Sequence, residues 1–311
     1  MKLKHIAAAG LAAAGTGMAA AFGSYLFGFH SPARKPLGPD EFSLPQGDIY
    51  LPYEEKMRQW TREARALPRE RVEIQSFDGL TLRGYYYAYS PDAPVEIMFH
   101  GYRGSAERDM PGGVQRAFAL GHSCLVVDQR AGGTSDGHVI SFGVNERRDC
   151  LAWIDFAIQK LGPDVKLILT GISMGAATVV MAAGEELPPN VIGVLADCGY
   201  SCQEKMIRLT IRRMGLPVPI AYPIAKLGAR IFGNFDLEET TPLKALETCK
   251  VPIIFFHGDN DAFVPCEMSR EMYEACPTRK RLVIIPGAGH GLSYAVDPQT
   301  YLREAREFFH G

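Results

Sequence analysis

The stretch Lys166-Leu167-Ile168-Leu169-Thr170-Gly171-Ile172-Ser173-Met174-Gly175-Ala176-Ala177 reads, in that order, as a buried strand, a sharp turn and the start of a helix of small residues. A serine on such a turn needs little side chain on either side, which accounts for glycine at 171 and 175. The turn lifts the hydroxyl above the sheet edge and aims the following helix N-terminus at it. Alone, the G-x-S-x-G pattern is weak; between a strand and a helix it becomes specific. Working outward, short apolar runs lie at Val95–Phe99, Ser123–Val127, Val165–Gly171, Val191–Ala196, Pro252–Phe256 and Arg281–Ile285. Runs of this kind are parallel strands buried on both faces. Helical stretches at Gly113–Leu120, Asn145–Leu161, Met174–Leu187, Cys266–Ala275 and Pro298–Phe309 separate most of them. Ahead of these, Val72–Phe77 and Leu80–Tyr89 flank Asp78-Gly79 as a hairpin. The fold class is therefore α/β: one mostly parallel sheet of about eight strands with helices on both faces.

One segment breaks the alternation. Ser201–Glu247 is far longer than a crossover needs and is interrupted by Pro217, Pro219 and Pro223. An insertion of that size after a strand end is expected to be a helical cap, at about 201–248, over a site there.

A nucleophilic Ser173 requires a base, an acid to orient it and donors for an oxyanion. Of the eight histidines, His5, His30 and His310 lie at the termini, and His122 and His138 in connecting segments. His290 stands in Gly287-Ala288-Gly289-His290-Gly291, a flexible loop directly after the last strand, and is the expected base. Three carboxylates compete for the acid. Asp261, well past the strand end, is favoured by the chain order Ser, acid, His, with Asp259 and Asp197 as alternatives. The oxyanion donors are expected to be backbone N–H groups of Met174 and of Tyr102 in His100-Gly101-Tyr102-Arg103-Gly104. His100 then reads as a structural hydrogen bonder. Asp128–Ser135 lacks the spacing of a phosphate loop and reads as a tight turn.

His100-Gly101, the Asp128–Ser135 turn, Gly171–Gly175, His257-Gly258 with Asp261 and Val264-Pro265, and Gly289-His290-Gly291 resemble, in the same order, the α/β-hydrolase superfamily. The resemblance covers about residue 71 to the C-terminus. Within the superfamily the chain is similar to bacterial membrane-anchored hydrolases near the serine aminopeptidases and carboxylesterases, a group of which Ala196-Asp197-Cys198-Gly199-Tyr200-Ser201 is also typical. Ala131 replaces the glycine usual in the Asp128 turn. The resemblance implies the α/β-hydrolase fold and ester or amide hydrolysis through an acyl-enzyme, with no metal and no organic cofactor.

Other properties bound the partners. A net charge of −2 gives no basic field for nucleic acid. The seven cysteines are scattered without zinc spacing and read as free buried thiols. Lys2, Lys4 and His5 precede an uncharged run, Ile6–Phe29, rich in alanine. As a helix this run would cover about 36 Å, enough for a bilayer core of about 30 Å, so an N-terminal membrane anchor at 1–30 is expected, of unset sidedness. The alternative is a secretory signal cleaved near Ala19-Ala20-Ala21. Residues 31–70 read as a linker rich in proline (Pro32, Pro36, Pro39, Pro45) followed by a surface helix over Tyr53–Leu67. The insertion carries Lys205, Arg208, Arg212, Arg213, Lys226 and Arg230 against Glu204, interleaved with apolar residues. The plain reading is an amphipathic cap lining the pocket; a sharper one rests its basic face on anionic lipid beside the anchor. The expected function is a serine esterase acting on small or medium acyl esters, with an aminopeptidase, an acyltransferase and a non-catalytic binding module of the same fold as alternatives.

Overall fold

The computed structural model describes residues 2–32, 38 and 41–311, with side chains from residue 15 onward. Part of the proline-rich linker reading, including Pro36 and Pro39, falls on 33–37 and 39–40 and lies outside the described residues. Helix α1 (Lys2–Gly28) is followed by a 3₁₀ turn (Asp48–Tyr53), α2 (Glu54–Ala66) and the hairpin strands β1 (Glu70–Gln75) and β2 (Thr81–Tyr87). Then come β3 (Val95–Phe99), α3 (Ala106–Asp109), α4 (Pro111–Leu120), β4 (Ser123–Val127), α5 (Glu146–Leu161), β5 (Leu167–Ile172), α6 (Met174–Ala182) and β6 (Val191–Asp197). The insertion supplies α7 (Gln203–Arg213), α8 (Val218–Phe232) and α9 (Pro242–Leu246). The chain closes with β7 (Ile253–Gly258), α10 (Glu267–Ala275), β8 (Lys280–Ile285), α11 (Ser293–Val296) and α12 (Pro298–His310).

The sheet has eight strands in the order β1-β2-β4-β3-β5-β6-β7-β8. Strand β2 is antiparallel to both its neighbours, β1 and β4, and every pairing beyond is parallel. Burial follows position. Central β3 and β4 are buried at every residue, as continuous apolar runs demand, whereas edge strand β1 turns mostly exposed residues outward. Helix α6 is buried along its whole length, which is why it is built of alanine, valine and methionine. Its first turn packs so tightly on β3 that a Cβ at Gly175 would stand 2.0 Å from the Phe99 carbonyl oxygen.

Two expectations are corrected. Among the described residues no helix is long and apolar enough to cross a membrane, which overturns the N-terminal anchor and the transmembrane helix. The physical reason is composition: alanine and glycine fill α1 without adding the apolar surface a bilayer core requires. Its C-terminal turns instead bury Ala21 and Tyr25, with Phe29 just beyond, against α8 and its surroundings. Phe22 meets Phe232 edge-on at 4.9 Å, and Gly228 of α8 lets the Ala21 carbonyl approach. Ala21, part of the stretch read as an alternative cleavage point, is fully buried in this contact. The anionic-lipid reading loses the anchor it depended on, and Lys205, Arg208 and Lys226 are ion-paired with Glu271, Glu204 and Glu238.

The second correction concerns the insertion. It is helical where expected, but no residue of 201–248 lines the cavity beside Ser173. Part of its apolar face covers Tyr25 of α1 and Phe29, while Met206, Leu209 and Ala245 pack in one cluster with Met174 and Tyr102, behind the cavity.

Candidate active site

The C-terminal ends of β3, β5, β6, β7 and β8 deliver the side chains that the sequence singled out to one place. Ser173 stands between β5 and α6 with φ 56° and ψ −117°, a strained conformation for a non-glycine residue. Its N–H donates to the Asp197 carbonyl at 2.9 Å, fixing the turn to β6. A Cβ at Gly171 would lie 2.1 Å from the Gly175 carbonyl oxygen, so the turn closes only with glycine there.

His290, in the loop after β8, places Nε2 2.9 Å from the Ser173 hydroxyl and Nδ1 2.7 Å from Asp261 Oδ2. Because the carboxylate only accepts, the proton sits on Nδ1 and Nε2 is left free to receive the serine proton. Asp261 Oδ1 also accepts the Phe263 and Val264 N–H groups, each at 2.8 Å. His257 Nε2 lies 3.3 Å from its other oxygen. Burial pushes the Asp261 carboxyl up, but hydrogen bonds from His257 and His290 outweigh it and hold the group well below the usual carboxylate range.

The competing carboxylates are engaged elsewhere. Asp259 accepts the Gly287 N–H at 2.6 Å, tying the loop after β7 to that after β8. Asp197 takes the Ser293 and Tyr301 hydroxyls at 2.9 and 3.1 Å, and burial raises its pKa. His100 is structural: its Nε2 accepts the Gln129 N–H at 3.0 Å while Nδ1 donates to the Gly101 carbonyl at 2.8 Å.

Met174 opens α6, so its N–H belongs to the first turn, where no helical acceptor exists. The His100–Arg103 loop faces it, with the Gly101 Cβ direction 3.5 Å from Ser173 Cβ. This loop is pinned from outside. The Tyr102 hydroxyl donates to the Gly28 carbonyl at 2.9 Å, and Arg103 reaches the Phe27 and His30 carbonyls at 2.7 and 2.9 Å, beside Tyr102. Among the described residues one His/Cys/Asp/Glu group has ligand spacing: Cys198, Asp261 and His290, with ligand atoms within 4.8 Å of one another. A cation there would have to replace the His290–Asp261 hydrogen bond.

Residues 97–304 match the Alpha/beta hydrolase family. The chain belongs to that family. Among its relatives, YqkD of Bacillus subtilis (strain 168) is 26% identical over 236 residues, covering 76% of this chain and 77% of that one. The thiohydrolase apmlB of Arthrinium phaeospermum is 36% identical over 136 residues, 42% of each chain. Among solved structures, the Pyrococcus furiosus esterase Pf2001 superposes with a TM-score of 0.65 at 23% identity, covering 81% of this chain and 95% of that one, and shares the fold.

For this family member, the walls of the site were only partly legible. A cavity of about 410 Å³ opens beside Ser173 and His290. Its near walls come from the loops already described, but its outer wall is Leu44–Tyr50 with Met57 and Trp60 of α2. Composition reads the stretch ahead of the Tyr53–Leu67 helix as a linker, and the signal for a wall there is the apolar group Ile49-Tyr50-Leu51, out of place in a solvated connection.

Proposed function

We propose that this hydrolase cleaves carboxylic esters through an acyl-enzyme on Ser173. The observation that carries the reading is the unbroken chain Ser173 Oγ, His290 and Asp261, linked at 2.9 and 2.7 Å. His290 Nε2 removes the serine proton as Oγ attacks the carbonyl, and Asp261 holds the imidazole in the right tautomer and stabilises its cation. The Met174 and Tyr102 N–H groups receive the oxyanion. His290 then protonates the leaving alcohol, and a water activated by the same nitrogen releases the acid.

Esters are favoured over peptides with free N-termini. Such a peptide needs a carboxylate for its ammonium. Of the acids in the cavity wall, Asp109 is paired with Arg108 and Asp197 already holds two hydroxyls, leaving Asp48 at the exposed rim. Transfer of the acyl group to another acceptor is the second reading. It is favoured by the relative from Penicillium named polyketide transferase grgF, 30% identical over 126 residues.

A fluorophosphonate probe tests the proposal. It should label the wild-type protein once, at Ser173, leave Ser173→Ala unlabelled and react with His290→Ala at a severely reduced rate. A wild-type protein that resists the probe overturns the reading.

A further inference from the structure

The cavity beside Ser173 is walled by a segment outside the G-x-S-x-G core. The 3₁₀ turn Asp48–Tyr53 contains no buried residue, and a second cavity, of about 310 Å³, lies on the far side of the same segment against Phe42, Leu51 and Arg58. Residues 44–51 thus stand between two spaces.

Two side chains of this wall reach the reacting centre. Ile49 Cδ1 lies 3.4 Å from the position a Cβ would take on Gly289, next to His290. Tyr50 lines the same cavity as Gly101, Arg108, Asp109, Ser173 and His290. After burial, the groups that move its pKa are Cys198, Asp109, Asp261 and Arg108. Asp109 and Arg108 border the Gly101 loop on the oxyanion side of Ser173, since Asp109 accepts the Gly101 N–H at 3.0 Å. Asp261 and Cys198 lie on the histidine side. The Tyr50 phenol, half-buried, belongs to the wall that faces these groups. Burial and the nearby acids keep it protonated, with its pKa above the ordinary tyrosine range, so at working pH it is a donor. Among the described residues it has no hydrogen-bond acceptor, its backbone N–H alone being bonded, to the Gly47 carbonyl.

We propose that the wall Leu44–Tyr53, rather than the helical insertion, selects the substrate, and that the Tyr50 hydroxyl donates a hydrogen bond to an oxygen of the ester being cleaved. This rests on the ester-hydrolase reading above. The preferred substrate carries an apolar acyl or aryl part that fills the space bounded by Ile49, Met57, Trp60, Met110 and Tyr294. Their volume suits a small molecule of medium length rather than a polymer, pockets for such ligands spanning about 300–1,000 Å³.

The experiment compares wild type, Tyr50→Phe and Ile49→Trp on p-nitrophenyl esters of increasing acyl length, with fluorophosphonate labelling run to completion in parallel. Tyr50→Phe keeps the ring and should label fully, while its kcat falls about 10- to 100-fold with KM little changed, as for loss of a donor used in the transition state. Its kcat–pH profile should keep its shape and lose only height, because a neutral donor does not titrate in the working range. Ile49→Trp fills the cavity from the same wall and should move the preference toward shorter acyl chains. Failure of wild type to label would remove the hydrolase reading itself. Full labelling of all three proteins, with wild-type kcat in Tyr50→Phe and a wild-type length profile in Ile49→Trp, would overturn this proposal alone.

Discussion

At the residue scale, each polar atom of Asp261 is already committed. Two backbone N–H groups, His257 and His290 surround its carboxylate, so it stays ionised well below the pH at which a free carboxyl, near about 3.9, takes a proton. For a depressed carboxylate the stabilising contribution is present above the unfolded value and is lost as pH falls through the folded one. Asp261 therefore adds no limb to the pH–rate profile in the neutral range. Asp261→Asn should lower kcat about 10³- to 10⁴-fold, because the amide N–H₂ turned toward Nδ1 favours the wrong tautomer. Steady-state kinetics at pH 7–8 checks this; a loss of tenfold or less would mean that another acid orients His290. The meeting of Ser173, Asp261 and His290 was legible because each stands just past a strand end, in a fixed order along the chain. Tyr50 was not, because a donor that acts from a neighbouring wall carries no spacing rule, and its surroundings, Pro45, Gly47 and Pro52, read as a connection.

At the element scale, the N-terminal helix is part of the domain. Its last carbonyls accept from Tyr102 and Arg103, the side chains of the loop whose backbone faces Ser173. Its body lies on α8 at Gly228, where an added Cβ would stand 2.4 Å from the Ala21 carbonyl oxygen and 2.7 Å from Ser24 Oγ. Gly228→Leu should therefore push α1 off the domain. Overpacking of this kind costs about 1–3 kcal/mol, or a Tm lowered by roughly 2–10 °C. The freed loop should also lower kcat/KM. Limited proteolysis of the first 30 residues, read beside activity, tests the coupling: α1 cut in the variant with full activity retained would show that the docking serves stability alone. An uncharged run of 24 residues from Ile6 suggested a bilayer from the sequence because length and lack of charge are visible there. What was not visible is that α8 presents Gly228 where the Ala21 carbonyl and Ser24 come close. The insertion is the complementary case: its size and position after β6 marked a cap, yet its apolar face is divided between α1 and the cluster of Met174 and Tyr102, and none of it lines the cavity.

At the scale of the whole molecule, the sheet is held at its centre by a buried ionic cluster that no motif announces. Glu96, in the middle of β3, is contacted by Arg116 of α4, by His122 at 2.8 Å and by the Thr170 hydroxyl of β5 at 2.8 Å. His122 in turn meets His310, near the end of α12, at 2.8 Å. The cluster thus joins two central strands, the helix that borders the cavity and the C-terminal helix. Burial raises the Glu96 carboxyl, but Arg116 and the hydrogen bonds from His122 and Thr170 prevail and set it at about 2, while the Arg116 guanidinium is shifted the opposite way. Both shifts favour the charged pair. The Glu96 contribution is fully present above the unfolded carboxyl value, near about 4.3, and disappears as pH falls toward the folded one. Glu96→Gln leaves Arg116 buried without its counter-charge and should destabilise the protein by about 3–5 kcal/mol at pH 7. The gap between wild type and variant should then close by about 1.4 kcal/mol for each pH unit below about 4.3, since only the wild type still has this proton to bind. Urea unfolding at pH 7, 4 and 3 measures it. A gap that stays constant across those values would mean that Glu96 binds its proton alike in the folded and unfolded chain, and that packing rather than charge holds β3 to α4.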